Sequence, residues 1–268
     1  MYDLPSEEVG EPGLPDQFHP LQAELLRLTF QPRTYPSERV FSAMDLNIYY
    51  DENNTRRYKR PDWFGVVGVS QLYEEQDLRL SYVIWQEGVN PFIVVELLSP
   101  STQAQDLGQV ASDPDGKPTK WEVYEEILQI PYYVVYDREQ NYFRVFHLES
   151  GRYQELELND NRLWLAELGL GLGLWQGINE NVDRLWLRFY DASLNWILTP
   201  TEQERQRADF EQQRANLEQQ RANFEQQRAD FEQQRADLEQ QEKELAQQRI
   251  EHLERLLREN NINPDANL

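Results

Sequence analysis

Residues 91–98 read PFIVVELL, and this stretch decides the fold class of the chain. A near-continuous apolar run of this length is typical of a strand that is buried on both faces, as in the sheets of α/β proteins. Glu96 interrupts the run, and burying an unpaired carboxylate would cost several kcal/mol. A metal ion, a basic partner or a strand end that reaches solvent would each stabilise Glu96, and all three alternatives stay open here.

Other elements are predicted on both sides of this strand. A helix is expected from His19-Pro20 to Phe30, because leucines recur there at helical spacing. Thr119 is expected to cap a second helix that ends near Leu128. Aromatic and branched runs predict further strands at 39–50, 61–69, 131–137 and 142–147. The order helix, three strands, helix, strand indicates an α/β core, and residues 153–199 are expected to add a β-rich extension.

The C-terminal quarter of the chain has a different composition. Residues 201–268 contain no Trp, Tyr or Gly, and residues 207–241 repeat a seven-residue unit of the type RADFEQQ five times. We expect a helix of about 60 residues that begins at Pro200, about 90 Å long, with the character of a weak coiled coil. The predicted segments are an N-terminal arm (1–17), a folded body (18–200), the heptad-repeat helix (201–260) and a C-terminal tail (261–268).

Composition limits the chemistry that the chain can carry. It has no cysteine, which excludes disulfides, thiolate zinc sites and cysteine nucleophiles, so any metal would have to bind largely to oxygen ligands. The net charge is −22, and such an acidic surface should hold polynucleotides only through a local basic patch. No leader or membrane span is recognisable, so we expect a cytoplasmic protein that does not bind membranes.

Asp62 is the natural companion of Glu96. It follows Pro61 at the start of the predicted strand PDWFGVVGV, which precedes the Glu96 strand. Two carboxylates that converge from adjacent strands make an oxygen site for Mg²⁺ or Mn²⁺. Such a cation can activate a water and stabilise charge on a scissile phosphate, which is the chemistry of metal-dependent nucleases.

A set of spaced motifs makes the interpretation more specific. The chain contains PD ending at Asp62, VVELLSPST (94–102), Asp106 and KWEVYEEILQIPYYVVYD (120–137). This pattern resembles the Uma2 family of restriction endonucleases over residues 18–200. The resemblance implies the PD-(D/E)xK restriction-endonuclease-like core of helix, three strands, helix and strand, which is the order derived above.

The resemblance also implies roles for individual residues. Asp62 and Glu96 would be the metal-binding carboxylates of the site. Leu98 stands where the lysine of the E-x-K signature is expected, and Lys120 on the following helix would supply the missing charge, with Tyr124 on the same helical face. Lys120 is equally well explained as a surface residue.

Further residues could contribute to the same cleft. Glu24, Asp45 and Asp106 are acids that could line it, although Glu24 and Asp45 also fit ordinary surface or capping positions. The densest basic cluster of the acidic body leads into Asp62 and could position phosphates, or it could be a solvated hairpin arm. We call this cluster the basic arm: Arg56, Arg57, Lys59 and Arg60.

The sequence therefore predicts an endonuclease that hydrolyses DNA with a metal-activated water and uses Mg²⁺ or Mn²⁺. The alternative is a catalytically inactive nuclease fold that acts as a binding or scaffold module through its helix. In either case the heptad repeat could form a homodimer, or it could be a solvated spacer.

Overall fold

The computed structural model describes residues 16–99, 103–110 and 117–260. Its helices are α1 (Phe18–Thr29), α2 (Ile84–Glu87), α3 (Gln103–Asp106), α4 (Lys120–Glu122) and α5 (Pro200–Glu259). Its strands are β1 (Val40–Met44), β2 (Ile48–Tyr49), β3 (Tyr58–Lys59), β4 (Trp63–Val67), β5 (Tyr82–Val83), β6 (Ile93–Leu97), β7 (Tyr132–Asp137), β8 (Tyr142–Glu149), β9 (Arg152–Glu155), β10 (Arg162–Leu165), β11 (Leu170–Asn179) and β12 (Val182–Tyr190). Most of the predicted N-terminal arm and the predicted tail 261–268 lie outside the described residues.

A six-stranded sheet forms the centre of the body, in the order β1-β4-β6-β7-β8-β9. Strand β6 runs parallel to β7, and the other neighbours are antiparallel. The helices α3 and α4 lie in the connection between the two parallel strands, as such a crossover requires. The predicted order of helix, three strands, helix and strand is confirmed, with β1, β4, β6 and β7 as its strands.

Both faces of β6 are buried, which explains the continuous apolar run around Glu96. Ile93, Val95 and Leu97 pack on one side with α1, and Val94 packs in a second apolar cluster on the other side. Each fully buried aliphatic side chain of this kind contributes about 1.5–3 kcal/mol. Because side chains alternate along a strand, Glu96 shares the face of Val94.

The predicted β-rich extension is a second sheet, β10-β11-β12, that packs against α1 in the first of these clusters. The Gln22 side chain joins α1 to β12, donating to the carbonyl of Leu187 at 2.8 Å and accepting its amide at 2.9 Å. A Cβ at Gly171 would lie 2.1 Å from the ring of Tyr190, so this position of the Gly-Leu alternation requires glycine.

Residues 39–50 do not form the single strand that their composition predicted. Asp45 adopts a left-handed backbone conformation with φ of 50°, and β1 ends one residue earlier. The chain then leaves the main sheet, and β2 joins a small sheet with β3 and β5. The Asp45 amide donates to the carbonyls of Pro61 and Asp62 at 3.2 and 3.3 Å, so the turn anchors the start of β4.

The helix that follows Thr119 also departs from the prediction. Thr119 caps it as expected, in a reciprocal pair of hydrogen bonds with Glu122. Only Lys120–Glu122 is α-helical, and Val123–Ile127 forms a π-helical turn in which the Leu128 amide donates to the Val123 carbonyl at 2.8 Å. Turns of this kind are rare and often found at functional sites.

Contacts divide the chain into two units, with the division between Thr201 and Glu202. The second unit contains nearly all of α5, a single helix of 60 residues that starts at Pro200 as predicted. None of the residues of this helix is buried. Among the described helices, none is both long enough and apolar enough to cross a membrane.

Candidate functional site

Asp62 and Glu96 meet where β4 and β6 lie side by side. Asp62 directly precedes β4, and the register pairs the next residue, Trp63, with Val95. The Asp62 carboxylate accepts the amide of Leu97 at 2.7 Å, and the Asp62 amide lies 3.4 Å from Glu96 Oε2. The two carboxylates predicted from the sequence are therefore brought together by the antiparallel pairing.

Lys120 lies against Glu96 and joins it to Asp106. Its Nζ is 3.0 Å from Glu96 Oε2 and 2.9 Å from Asp106 Oδ1. Both carboxylate side chains are only 1% exposed, whereas that of Lys120 is 19% exposed. We call Asp62, Glu96 and Asp106 the acidic cluster, with Lys120 as the cation that bridges two of its members.

The π-helical turn places Tyr124 against the other oxygen of the Glu96 carboxylate. The Tyr124 hydroxyl donates to Glu96 Oε1 at 2.9 Å, so both oxygens of this carboxylate are engaged. Tyr133 on β7 donates its hydroxyl to the backbone carbonyl of Asp106 at 2.8 Å and holds the end of α3 near the site. The motif K-x-x-x-Y thus presents its two side chains to the same glutamate.

The electrostatics of the site favour the protonated forms of Glu96 and Asp62. Burial raises the pKa of Glu96 to about 8, against the lowering effect of Lys120 and with the help of Asp106 and Asp62. Burial also raises the pKa of Asp62, again against the effect of Lys120. Burial by itself lowers the pKa of Lys120, but the three acids raise it above its ordinary value, so the ammonium stays charged.

His19 is a site neighbour that the sequence did not single out. Its Nε2 lies 3.1 Å from the Leu97 carbonyl and its Nδ1 lies 3.0 Å from Asp16 Oδ1. Burial lowers the pKa of His19, but the hydrogen bond to Asp16 and the charge of Asp62 raise it above the ordinary value. Both ring nitrogens face acceptors, so a protonated imidazole fits, and it ties α1 to the strand that carries Glu96.

The cluster offers oxygen donors of the kind that bind divalent cations. Asp106 Oδ2 is buried and finds no hydrogen-bond partner among the described residues, and the charges of Asp62, Glu96 and Asp106 act on Lys120, with His19 as a second basic group near Asp62. Carboxylate oxygens are the ligands that Mg²⁺ prefers in proteins. Within residues 16–99, 103–110 and 117–260, no three His, Asp or Glu side chains are gathered tightly enough to form a complete metal site, and Lys120 stands between Glu96 and Asp106.

Two of the further acids lie away from the cluster or are paired elsewhere. Glu24 forms an exposed ion pair with Arg27 at 2.6 Å on the surface of α1 and does not reach the cluster. The Asp45 amide donates to the Asp62 carbonyl. The Asp45 carboxylate, however, pairs with Arg60 at 2.9 Å, and its side chain is 38% exposed.

The basic arm borders the cluster. Lys59 donates to the carbonyl of Pro118 at 2.6 Å, two residues before Lys120, and this contact brings the arm to the start of α4. Arg60 pairs with Asp45, and Arg57 pairs with Asp51 at 3.1 Å. Arg56 is exposed to solvent. These ion pairs are partly exposed, and such pairs are weak enough to be exchanged for phosphate.

The fold and the site together define a class. A mixed sheet with the order β1-β4-β6-β7, a helix before it and a crossover between β6 and β7, is the core of restriction-endonuclease-like proteins. Asp62 and Glu96 lie at two adjacent strands of this core. The chain belongs to the Uma2 family, described as "Putative restriction endonuclease", whose model matches residues 1–182.

One solved structure with a detectable likeness is a protein from Anabaena variabilis described as "a putative nuclease belonging to DUF820". It is 12% identical to this chain, the match covers 58% of this chain and 76% of that one, and the TM-score is 0.38. No protein of curated function matches the chain.

Proposed function

We propose that the protein is a metal-dependent endonuclease that hydrolyses phosphodiester bonds of DNA. One observation carries this proposal: in a chain of the restriction endonuclease family, Asp62 and Glu96 meet where β4 and β6 lie side by side, and Lys120 joins Glu96 to a third buried acid, Asp106. Lys120 and His19 are basic groups whose charges act on these acids, and Asp106 Oδ2 still finds no hydrogen-bond partner among the described residues. This buried carboxylate oxygen supports a place for a further cation.

Asp62 and Glu96 would hold that cation, with Asp106 as an additional oxygen donor in the same cluster. A bound Mg²⁺ or Mn²⁺ supplies a Lewis acid for the phosphate and makes a water more acidic. Tyr124 would keep the Glu96 carboxylate in place through its hydroxyl, at 2.9 Å from Oε1. The Leu97 amide does the same for Asp62 at 2.7 Å.

Lys120 would act on the substrate side of the site. Its side chain reaches solvent, unlike those of its partners Glu96 and Asp106, and its charge is maintained by the acids around it. An ammonium in this position can stabilise the negative charge that builds up on the phosphate in the transition state. In this proposal it would supply the charge of the signature lysine, whose position is occupied by Leu98.

Binding of DNA would rely on the basic arm, since the chain as a whole is strongly acidic. Arm residues lie beside the start of α4 and beside Asp62, so phosphates that they bind would be close to the acidic cluster. Contacts to phosphate position the nucleic acid and do not read its sequence.

The exposed apolar residues of α5 further support the association of two copies of the chain.

Replacement of all four arm residues by Ser is expected to weaken DNA binding and to reduce its salt dependence by up to about four counterions, one for each lost contact. The fold should be unaffected, because the ion pairs of Arg57 and Arg60 are partly exposed. Affinity measured over a series of salt concentrations checks this. An unchanged slope of log affinity against log salt would assign the arm to a solvated hairpin.

Plasmid cleavage at low salt tests the activity itself. The parent protein is expected to nick or linearise the plasmid with Mg²⁺ or Mn²⁺ and to be inactive in EDTA. Asp62→Asn removes one charge from the acidic cluster and should abolish cleavage, whereas Glu24→Asn removes an acid of the exposed α1 surface and should not. Equal cleavage by the parent and by Asp62→Asn would show that cleavage does not depend on Asp62 and would contradict the proposed site.

A further inference from the structure

Helix α5 carries a regular apolar stripe that no described residue of the chain covers. Its members recur every seven residues and are between 51% (Leu217) and 70% (Phe224) exposed. The stripe consists of Phe210, Leu217, Phe224, Phe231 and Leu238. In a left-handed coiled coil, a strict seven-residue apolar period keeps the apolar residues of each helix facing the partner helix.

Two heptad frames are compatible with this stripe. If the apolar residues occupy position a, glutamine occupies every position d: Gln213, Gln220, Gln227, Gln234 and Gln241. If the apolar residues occupy position d instead, arginine such as Arg214 fills every position a and would bury like charges against one another. Glutamine can both donate to and accept from its own copy, whereas arginine only donates, so the first frame is favoured.

The hydrogen bonds of α5 support the same frame. Glutamines at position c, beside the stripe, donate their side-chain amides to a residue one turn later in the same helix. Gln212 donates to Asn216 at 3.1 Å, and Gln233 donates to Asp237 at 2.9 Å. The described part of the chain shows no such bond for the glutamines at position d. Their amides are therefore available to a second helix, while those of their neighbours are satisfied internally.

The charges beside the seam select the orientation of the second helix. In this frame, position e is arginine in each repeat and position g is Asp or Asn. In a parallel pair, position g faces position e of the next heptad, which sets Asp209 against Arg214 and Asp230 against Arg235 of the second copy. In an antiparallel pair, arginine would face arginine and aspartate would face aspartate.

We propose that α5 is the interface with a second copy of this chain, in a parallel and in-register two-stranded coiled coil over residues 207–241. Layers of Phe or Leu alternate in it with layers of paired Gln. The body of each copy is joined to α5 at Pro200, so a parallel coil attaches both bodies to the same end. If the proposed function holds, each dimer carries two nuclease sites.

Single cysteines test the orientation in the full-length chain, which has no cysteine of its own. Gln213→Cys and Gln241→Cys place one thiol near each end of the repeat, both at position d. With oxidised glutathione as the oxidant, each variant alone should form a disulfide-linked dimer on a non-reducing gel. Ala229→Cys is the matched control, because its position f faces away from the seam and should remain monomeric on the gel.

Three results would overturn the proposal. The first is a dimer band only when the Gln213→Cys and Gln241→Cys chains are mixed, which indicates an antiparallel pair. The second is equal crosslinking of Ala229→Cys, and the third is a monomeric mass for the uncrosslinked parent in analytical ultracentrifugation at high concentration. None of these results depends on cleavage, so the coil can fail while the nuclease proposal stands, and the reverse also holds.

Discussion

Replacement of Lys120 by Met is expected to lower the free energy of unfolding by about 3–5 kcal/mol, the range found when one partner of a buried ion pair is removed. Lys120 bridges Glu96 and Asp106, which are both almost fully buried. Without the ammonium, the acidic cluster loses the cation that bridges two of its members, and the acids that are ionised repel one another in a poorly solvated pocket. Methionine is close in length to the lysine stem, so the loss of charge accounts for the effect more than the loss of volume.

Urea unfolding of the metal-free variant measures this change. Lys243→Met makes the same substitution on the exposed surface of α5 and should have little effect on stability. Addition of Mg²⁺ should stabilise Lys120→Met more than the parent, because the cation then supplies the counter-charge that the cluster has lost. A variant as stable as the parent would contradict a stabilising bridge from Lys120 to Glu96 and Asp106.

Glu96→Gln is expected to reduce cleavage by at least about a hundredfold, as removal of one preorganised charged group commonly does. The free energy of unfolding of the metal-free protein, in contrast, should be unchanged or higher by about 1–2 kcal/mol. The amide oxygen of the introduced glutamine can still accept the Tyr124 hydroxyl, and Lys120 keeps Asp106 as its partner. Removing this acid therefore leaves no cation stranded.

The pH dependence of this gain follows from the raised pKa of Glu96, which lies at about 8 in the fold against an ordinary value of 4.5. Between these values the folded protein holds a proton that the unfolded chain has lost. The contribution of Glu96 to stability therefore falls as pH rises through this window and is least favourable above it. Glutamine does not ionise, so the advantage of the variant should grow as pH rises from about 5 to about 8.

Melting curves over this pH range check the expectation. Glu87→Gln is a suitable control, since the Glu87 side chain is only 7% exposed and is paired with Arg79 at 2.7 Å outside the cluster. That substitution should be destabilising because it strands a guanidinium. If Glu96→Gln is destabilised to the same degree, Glu96 is a structural partner of Lys120 and the nuclease assignment loses its main support.

Sequence patterns were sufficient for the core strands and for the pair of acids. The apolar run around Glu96 requires a strand buried on both faces, and an acid in such a run demands an explanation. Asp62 could be paired with Glu96 because consecutive strands are usually neighbours in a sheet. The start of α5 at Pro200 likewise follows from local composition.

Other features depend on contacts that no local pattern contains. The bond from His19 to the Leu97 carbonyl spans 78 residues, and the residues around His19 indicate only the start of a helix. The break at Asp45 depends on the carbonyls of Pro61 and Asp62. The π-helical turn after Glu122 keeps Tyr124 against Glu96, and helix propensity alone does not distinguish such a turn from an α-helix.

Thermal unfolding of the metal-free parent with and without Mn²⁺, beside Glu96→Gln, tests the metal site most directly because it requires no knowledge of the DNA target. A cation that binds only the folded state stabilises that state. Once the cation concentration exceeds the dissociation constant, the stabilisation grows with the logarithm of the concentration. We expect a melting temperature that rises with Mn²⁺ in the parent and does not change in Glu96→Gln. A parent that ignores Mn²⁺, or a variant that responds equally, would contradict a metal site at the acidic cluster.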